Sequence, residues 1–168
     1  MKKLTSILLV AVILTLAFSF NACKEKEPEG LTFDRLLLSS SDNDYVWSVR
    51  AADCELTNVV IPATYKGRPV VGVRSFAQCK TLKSITIPDS VTSIGAWAFS
   101  ECYSLTSITI PASVTSIGEN AFNSCTSLTS INFEGTVEQW NSISFGDYWN
   151  DDIPATEVVC SDGTVPLT

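Results

Sequence analysis

A 23-residue repeat constrains the fold of this 168-residue chain more than any other feature of its sequence. The segments 81–95 and 104–118 are nearly identical and lie 23 residues apart. The same period relates leucines, isoleucines, phenylalanines and cysteines: Leu82, Leu105, Leu128; Ile85, Ile108, Ile131; Phe76, Phe99, Phe122; Cys79, Cys102, Cys125. A period of this length predicts a solenoid, in which each coil packs on the next. An earlier copy begins at Leu56 and carries extra residues near Tyr65–Pro69.

Each repeat divides into a strand and a second apolar segment. Ile85 and Ile87 alternate with Thr86, which predicts a strand with its isoleucines inward, and Pro88 ends that strand because proline cannot donate to a ladder. The second segment has apolar residues at three- and four-residue steps, typical of a short helix packed inward: Gly95, Ala98, Phe99 and Cys102. The sequence therefore predicts an α+β solenoid with one strand and one short helix per repeat.

The two ends of the chain carry patterns that predict caps, which a solenoid needs to cover its terminal coils. Alternating residues predict a hairpin from 31–38 and 45–50. Thr136 and Gln139 fit a helix capping box, and residues 158–167 predict a second hairpin. The predicted organisation is a signal peptide at 1–22, a tether at 23–30, an N-terminal cap at 31–55, repeats at 56–133 and a C-terminal cap at 134–168.

The first residues have the pattern of a secretory signal. Lys2 and Lys3 precede an apolar run over 7–20, which is shorter than the roughly 20 residues of a membrane span. Cys23 directly follows Ala22, and this junction resembles the processing site of bacterial lipoproteins, which implies that Cys23 carries a lipid anchor. The acid-rich tether resembles a surface-export signal of Gram-negative lipoproteins. We expect an outer-membrane lipoprotein exposed at the cell surface; an uncleaved anchor, cleavage without lipid and a periplasmic location are the alternatives.

The repeat pattern over 56–133 carries a resemblance to a known family. It reads Leu-x-x-Ile-x-Ile-Pro and then Val-x-x-Ile-Gly-x-x-Ala-Phe-x-x-Cys, and it closely resembles the leucine-rich repeats of BspA-like bacterial surface proteins. The resemblance implies a short leucine-rich repeat array on a secreted or surface-attached protein that binds other proteins. Some members are adhesins for host matrix proteins or other bacteria. The resemblance supplies no catalytic residues.

Composition excludes several classes of function. The net charge of −7 argues against a nucleic-acid partner, and the chain has no histidine, which removes Ser-His-Asp and Cys-His catalysis and histidine-ligated zinc. Asp147, Asp151 and Asp152 lack the spacing of an EF-hand, so a solvated cap loop is favoured over a calcium site. We therefore expect no enzyme activity, no cofactor and no metal site.

The cysteines at the repeat period suggest a ladder rather than a metal site or disulfides. Stacked positions lie about 5 Å apart, within reach of a disulfide, but ladder side chains point in the same direction. Zinc requires thiolates in a tetrahedral cluster. We expect Cys79, Cys102 and Cys125 to be buried free thiols, and the sequence assigns no role to Cys54 or Cys160.

The outward strand positions form the candidate binding surface, because solenoids present such faces to their partners. The candidate residues are Asn58, Ser84, Thr86, Ser107, Thr109, Ser130 and Asn132, together with Trp97 in the second segment of its repeat. A protein ligand is the leading hypothesis. A glycan is the alternative, suggested by these polar ladders and by the cap aromatics Trp140, Tyr148 and Trp149. A structural envelope component with a merely solvated sheet is the third hypothesis, and Trp97 could also lie flat against its neighbouring repeat.

Overall fold

The computed structural model describes residues 28–37 and 45–167 and shows a solenoid of about five turns. Cys23, the predicted signal peptide and most of the tether lie outside the described residues. Each middle coil contributes one strand to each of two sheets, which we call sheet A and sheet B. No helix in 28–37 or 45–167 is long and apolar enough to cross a membrane.

Sheet A begins with the N-terminal hairpin and continues through the short second strand of each coil. Its strands, in spatial order, are β1 (Leu31–Leu37), β2 (Tyr45–Ala51), β5 (Arg68–Val73), β7 (Ser93–Ile94), β9 (Ser116–Ile117) and β11 (Ser144–Phe145), with β4 (Thr64–Tyr65) beside β5. From β2 onward the neighbours along this order are parallel, as stacked coils require.

Sheet B contains the strand that the repeat pattern predicts at the start of each coil. Its spatial order is β3 (Asn58–Val60), β6 (Ser84–Thr86), β8 (Ser107–Ile110), β10 (Ser130–Phe133), β12 (Glu157–Cys160) and β13 (Gly163–Pro166). All neighbours are parallel except β12 and β13, which form the C-terminal hairpin. The pairing joins residues one period apart, such as Ile108 with Ile131.

The first coil is longer than the others. Asn58 pairs with Ser84, 26 residues further on, so this coil has three residues more than the 23-residue period. The extra chain forms the small antiparallel pair β4–β5, whose turn is made by Lys66 and Gly67 with φ of 48° and 73°. Both residues adopt the left-handed conformation that a tight two-residue hairpin turn requires.

The core runs along the solenoid axis as stacked rows of identical side chains. The rings of Phe76, Phe99 and Phe122 are fully buried and stack with centroid distances of 5.7 Å and 5.3 Å. In β6, Ile85 is buried and Thr86 is exposed, so the predicted alternation is confirmed. Each coil therefore buries its apolar residues against both neighbouring coils.

The short helix predicted for each repeat is not confirmed, because the residues after β7 form consecutive turns. The N–H groups of Trp97, Phe99 and Glu101 donate to carbonyls of the next coil at 2.7–2.9 Å, and only the intervening N–H groups bond locally. Trp97 and Glu101 both have φ of 59°, a left-handed conformation that a regular α-helix does not contain. Three- and four-residue apolar spacing fits such turns as well as a helix. Within the described residues the single α-helix is α1 (Val137–Asn141) in the C-terminal cap.

Three free thiols form the predicted ladder. Cys79, Cys102 and Cys125 are fully buried, and the thiols of Cys102 and Cys125 donate to carbonyls of the preceding coil, those of Phe76 and Phe99, at 3.1 Å and 3.0 Å. Burial raises the pKa of the Cys79 thiol, and hydrogen bonding with Cys125 together with burial raises that of Cys102.

The C-terminal cap begins with the helix α1. The Thr136 hydroxyl accepts the N–H of Gln139 at 3.2 Å, and the Gln139 side chain accepts the N–H of Thr136 at 2.8 Å, which confirms the predicted capping box. The Asp162 carboxylate accepts the N–H of Val137 at 2.8 Å and links the helix to the β12–β13 turn. Trp140 is buried against Phe133.

Replacing Phe99 with alanine should destabilise the protein far more than replacing Thr86. Phe99→Ala opens a cavity between two stacked rings and should cost about 3–5 kcal/mol of unfolding free energy. Thr86→Ala changes an exposed strand position and should cost less than about 1 kcal/mol. Urea unfolding of both variants and the unchanged chain measures the difference. Equal losses would contradict the observed division into inward and outward positions.

Thiol labelling should distinguish Cys54, which is exposed, from the buried ladder. In the folded protein a maleimide should modify Cys54 and leave Cys79, Cys102 and Cys125 unlabelled, because these three side chains are fully buried and the reagent cannot reach them. Peptide mapping by mass spectrometry reads the modified sites, and labelling in guanidinium, which should modify all four, is the control. Labelling of Cys102 as fast as Cys54 would show that the ladder opens.

Candidate functional site

The seven predicted ladder residues lie together on the outward side of sheet B, which we call the polar face: Asn58, Ser84, Thr86, Ser107, Thr109, Ser130 and Asn132. The first five are exposed, and the last two are half-buried. Hydrogen bonds join neighbours: the Ser84 hydroxyl donates to the Asn58 side-chain oxygen at 2.7 Å, and the Asn132 amide donates to the Ser130 hydroxyl at 3.4 Å. None of these seven side chains is charged, and the first charge where the sheet continues past Ser130 is Glu157 of β12, which is exposed on the same side as Val159.

Two exposed valines extend the polar face at its ends. Val60 pairs with Thr86 and is 70% exposed, and Val159 pairs with Asn132 and is 43% exposed. Val159 belongs to the cap and lies outside the repeat pattern. Its pairing with Asn132 in the sheet is what aligns it with the outward residues Thr86, Thr109 and Asn132. Exposed apolar side chains at both ends of a polar sheet give this face some of the character of an interface.

Trp97, the eighth candidate residue, is not part of the polar face. It lies in the turns that follow β7 of sheet A, ten residues before β8 returns the chain to sheet B. Its side chain is half exposed, so it does not lie fully covered by the next coil. The candidate residues are therefore divided between two surfaces.

Trp97 belongs to a row of equivalent positions in three successive coils. The N–H of Trp97 donates to the carbonyl of Glu119, the residue before Asn120, at 2.9 Å. The N–H of Asn120 donates to the carbonyl of Asp147, the residue before Tyr148, at 3.0 Å. Trp97, Asn120 and Tyr148 share a left-handed backbone, with φ of 59°, 53° and 55°. We call these three residues the aromatic row; its two rings are 50% and 64% exposed, and Asn120 between them is buried.

A second row runs beside the aromatic row, four residues further along each coil. The N–H of Glu101 donates to the carbonyl of Asn123, before Ser124, and the N–H of Ser124 donates to the carbonyl of Asp151, before Asp152, both at 2.9 Å. Glu101, Ser124 and Asp152 have φ of 59°, 58° and 57°. We call these three residues the acidic row.

Tyr103 connects the acidic row to the preceding coil. Its hydroxyl donates to Oε2 of Glu101 at 2.9 Å, and Nζ of Lys80 lies 5.7 Å from its ring centroid. Because the hydroxyl is hydrogen-bonded to a carboxylate, the pKa of the Tyr103 phenol is raised above its ordinary value. A lysine ammonium over this ring is a cation–π contact within the chain itself.

Five carboxylates belong to the acidic row or directly precede a row residue in the sequence: Glu101, Glu119, Asp147, Asp151 and Asp152. Glu101 is half-buried, and the other four are exposed. The sequence has no lysine or arginine in 84–168, so this part of the solenoid is negatively charged. At its C-terminal end lies a cavity of about 310 Å³ whose lining includes Asn150, Asp151, Asp152, Thr156 and Leu167. We call the two rows, Tyr103 and these carboxylates the turn edge.

The cap aromatics that suggested a glycan site do not form one surface. Trp140 is buried, and Trp149 is half-buried and packs edge-on against Phe122. Of the three predicted aromatics, only Tyr148 is exposed. Sequence reasoning missed its alignment with Trp97, because 28 residues rather than 23 separate Tyr148 from Asn120.

Within 28–37 and 45–167, no three histidine, cysteine, aspartate or glutamate side chains are grouped so that they could hold a metal ion. The thiols of the cysteine ladder lie in a row along the solenoid axis and do not form a tetrahedral cluster. The carboxylates of the turn edge are likewise distributed over successive coils.

Comparisons with known proteins identify the repeat. The model of the BspA type leucine rich repeat region, in six copies, matches residues 51–153. No curated protein matches the chain. The chain is similar to a leucine rich repeat protein of Treponema pallidum at 25% identity, with a TM-score of 0.53, over 75% of this chain and 67% of that one. It shares the fold of a leucine-rich repeat protein of Bacteroides ovatus at 24% identity, with a TM-score of 0.55, over 81% of this chain and 37% of that one. Since the family model covers more than half of the chain and the coils have the expected architecture, this protein belongs to the BspA-type leucine-rich repeat family.

Proposed function

We propose that this protein is a lipid-anchored component of the bacterial cell envelope that binds another protein through the polar face. The observation that carries the binding proposal is the polar face itself. Parallel strands from successive coils present small, uncharged side chains there, with exposed valines at both ends. Such a surface lets the backbone of a partner approach closely and costs little desolvation, because it holds no charge.

The anchor proposal rests on the start of the sequence. Cys23 follows an apolar signal-like run, and a charged tether separates it from β1. A lipid on Cys23 would hold the protein at a membrane, and the seven residues 24–30 reach about 25 Å when fully extended. That reach is enough to lift a small solenoid off a lipid surface. Surface exposure and adhesion to matrix proteins or other bacteria are the roles that we propose for the anchored protein.

Replacing Cys23 with serine should abolish lipidation, because serine has no thiol to alkylate. Cells grown with a labelled fatty acid should incorporate label into the unchanged protein and not into Cys23→Ser, which should leave the membrane fraction. Cys54→Ser is the matched control, because it removes an exposed cysteine from the solenoid and should keep the label. Labelling of Cys23→Ser would contradict the anchor.

A protease that cannot cross the outer membrane should degrade the protein on intact cells, because the proposed location is outside. Immunoblotting before and after treatment measures the loss, and a periplasmic protein that survives is the control for membrane integrity. Protection of this protein until the cells are lysed would place it in the periplasm and contradict adhesion.

An arginine at the centre of the polar face should weaken partner binding. Thr109→Arg would bury an unpaired charge in the interface and should lower the affinity for immobilised matrix proteins at least about tenfold. Thr115→Arg is the matched control, since Thr115 is an exposed threonine of the same coil that lies next to β9 of sheet A. An equal loss of affinity in both variants, or no loss in Thr109→Arg, would show that the polar face is not the binding surface.

A further inference from the structure

We propose that the turn edge is a second docking surface, separate from the polar face, and that it takes an extended segment of a partner protein rich in lysine or arginine. Three features of the turn edge carry this inference: two exposed rings two coils apart, a lysine over the ring of Tyr103, and a surplus of carboxylates. None of them depends on the polar face or on the lipid anchor.

The aromatic row has the spacing of side chains on an extended peptide. Trp97 and Tyr148 occupy equivalent positions two coils apart, which is about 10 Å at the usual separation of neighbouring strands. In the extended polyproline II conformation three residues make one turn and span about 9 Å, so every third side chain lies on the same side of the chain. A segment lying along the solenoid axis would therefore present every third side chain to a ring. The side chain of Asn120, between the two rings, is buried, so the rings are the exposed side chains of this row.

Lys80 shows which chemistry these rings accept. Its ammonium lies over the Tyr103 ring, and the Tyr103 hydroxyl is hydrogen-bonded to Glu101. The lysine thus lies over an aromatic face whose hydroxyl is bonded to a carboxylate. Trp97 and Tyr148 each precede an acidic residue of the adjacent row by four positions: Glu101 follows Trp97, and Asp152 follows Tyr148. Lysine and arginine both bind such faces, and tryptophan is the strongest of the aromatic partners.

The charge of the turn edge favours a cationic partner. Five carboxylates lie in the acidic row or directly before a residue of either row, and no basic residue follows Lys83 in the sequence. At the end of the edge, the cavity beside Asp151 and Asp152 is large enough for the head of a lysine or arginine side chain. Carboxylates on one surface attract basic segments over a distance set by the salt concentration. A neutral glycan could stack on the rings but would gain nothing from this negative charge.

Binding of a designed peptide tests the proposal directly. The probe is fluorescein-labelled Gly-Lys-Gly-Gly-Lys-Gly-Gly-Lys-Gly, and the protein is the full chain in a nonionic detergent. Fluorescence anisotropy should show binding of this peptide and none of the matched peptides with glutamine or glutamate in place of lysine. Raising the salt from about 0.01 M to about 0.1 M shortens the Debye length from about 30 Å to about 10 Å and should weaken binding.

The double variant Trp97→Asn/Tyr148→Asn removes both rings without disturbing the backbone. Asn120 occupies the same position in the coil between them, and asparagine adopts the left-handed conformation readily. The affinity for the lysine peptide should fall about tenfold, because two cation–π contacts are lost. Trp97→Phe/Tyr148→Phe should retain most of the affinity, and Thr109→Ala on the polar face should leave it unchanged. Thermal unfolding of each variant verifies that the fold is intact.

Several outcomes would overturn the inference. One is the absence of lysine-peptide binding at low salt, and another is equal affinity of the Asn double variant and the unchanged chain. Binding of an uncharged N-acetylglucosamine oligomer that requires both rings, without binding of the peptide, would assign the turn edge to glycans instead. These outcomes leave the proposed function standing, because that proposal is tested at Cys23 and at Thr109.

Discussion

Hydrogen bonds between successive coils are the interaction on which this fold depends, because the backbone of each later coil forms only local turns by itself. The strands of both sheets pair with strands one coil away, and every second N–H in the turns after β7 also donates to the next coil. Side chains add to this pattern: the hydroxyls of Ser104 and Ser113 donate to the carbonyls of Lys80 and Val91 in the preceding coil. A coil removed from the stack would leave these groups unpaired on both sides, so the coils are stable only together.

The dependence on neighbours explains why the ends of the chain use so many aromatic side chains. A terminal coil exposes a flat apolar surface and unpaired backbone groups unless another element covers it. At the N-terminal end, Phe33 stacks on Tyr65 with a centroid distance of 4.0 Å. At the C-terminal end, Trp140 packs against Phe133 and Trp149, and Trp149 packs edge-on against Phe122, the last ring of the phenylalanine stack. These tryptophans close the core, which is why the cap does not present the aromatic platform that its composition suggested for a glycan.

The sequence predicts the features that follow from the strict 23-residue period. It does not predict features where the period is broken, or where the same spacing of apolar residues fits two different backbone conformations. Phe99 and Ile108 could be placed in the core because each recurs in the adjoining repeats, and an inward position in one coil is inward in the next. The helix after β7 was not predictable in the same way, since apolar residues at three- and four-residue steps suit a helix and a series of turns equally. The alignment of Trp97 with Tyr148 was hidden by the 28-residue spacing of the last coil, which no repeat template reproduces.

Positions at which the coils carry different side chains are those whose residues the repeat itself does not determine. Inward positions are occupied by the core, and the outward positions of β6, β8 and β10 in sheet B carry only serine, threonine or asparagine. The left-handed turn positions are the exception, because Trp97, Asn120 and Tyr148 differ strongly although their backbones are alike. A bulky aromatic side chain at positive φ is unfavourable relative to asparagine. Trp97 and Tyr148 therefore occupy positions where the backbone alone favours another residue, and packing accounts for only part of each ring. The exposed part of each ring contributes nothing to the packing of the coils. It lies in a stretch of the chain that contains carboxylates and no basic residue.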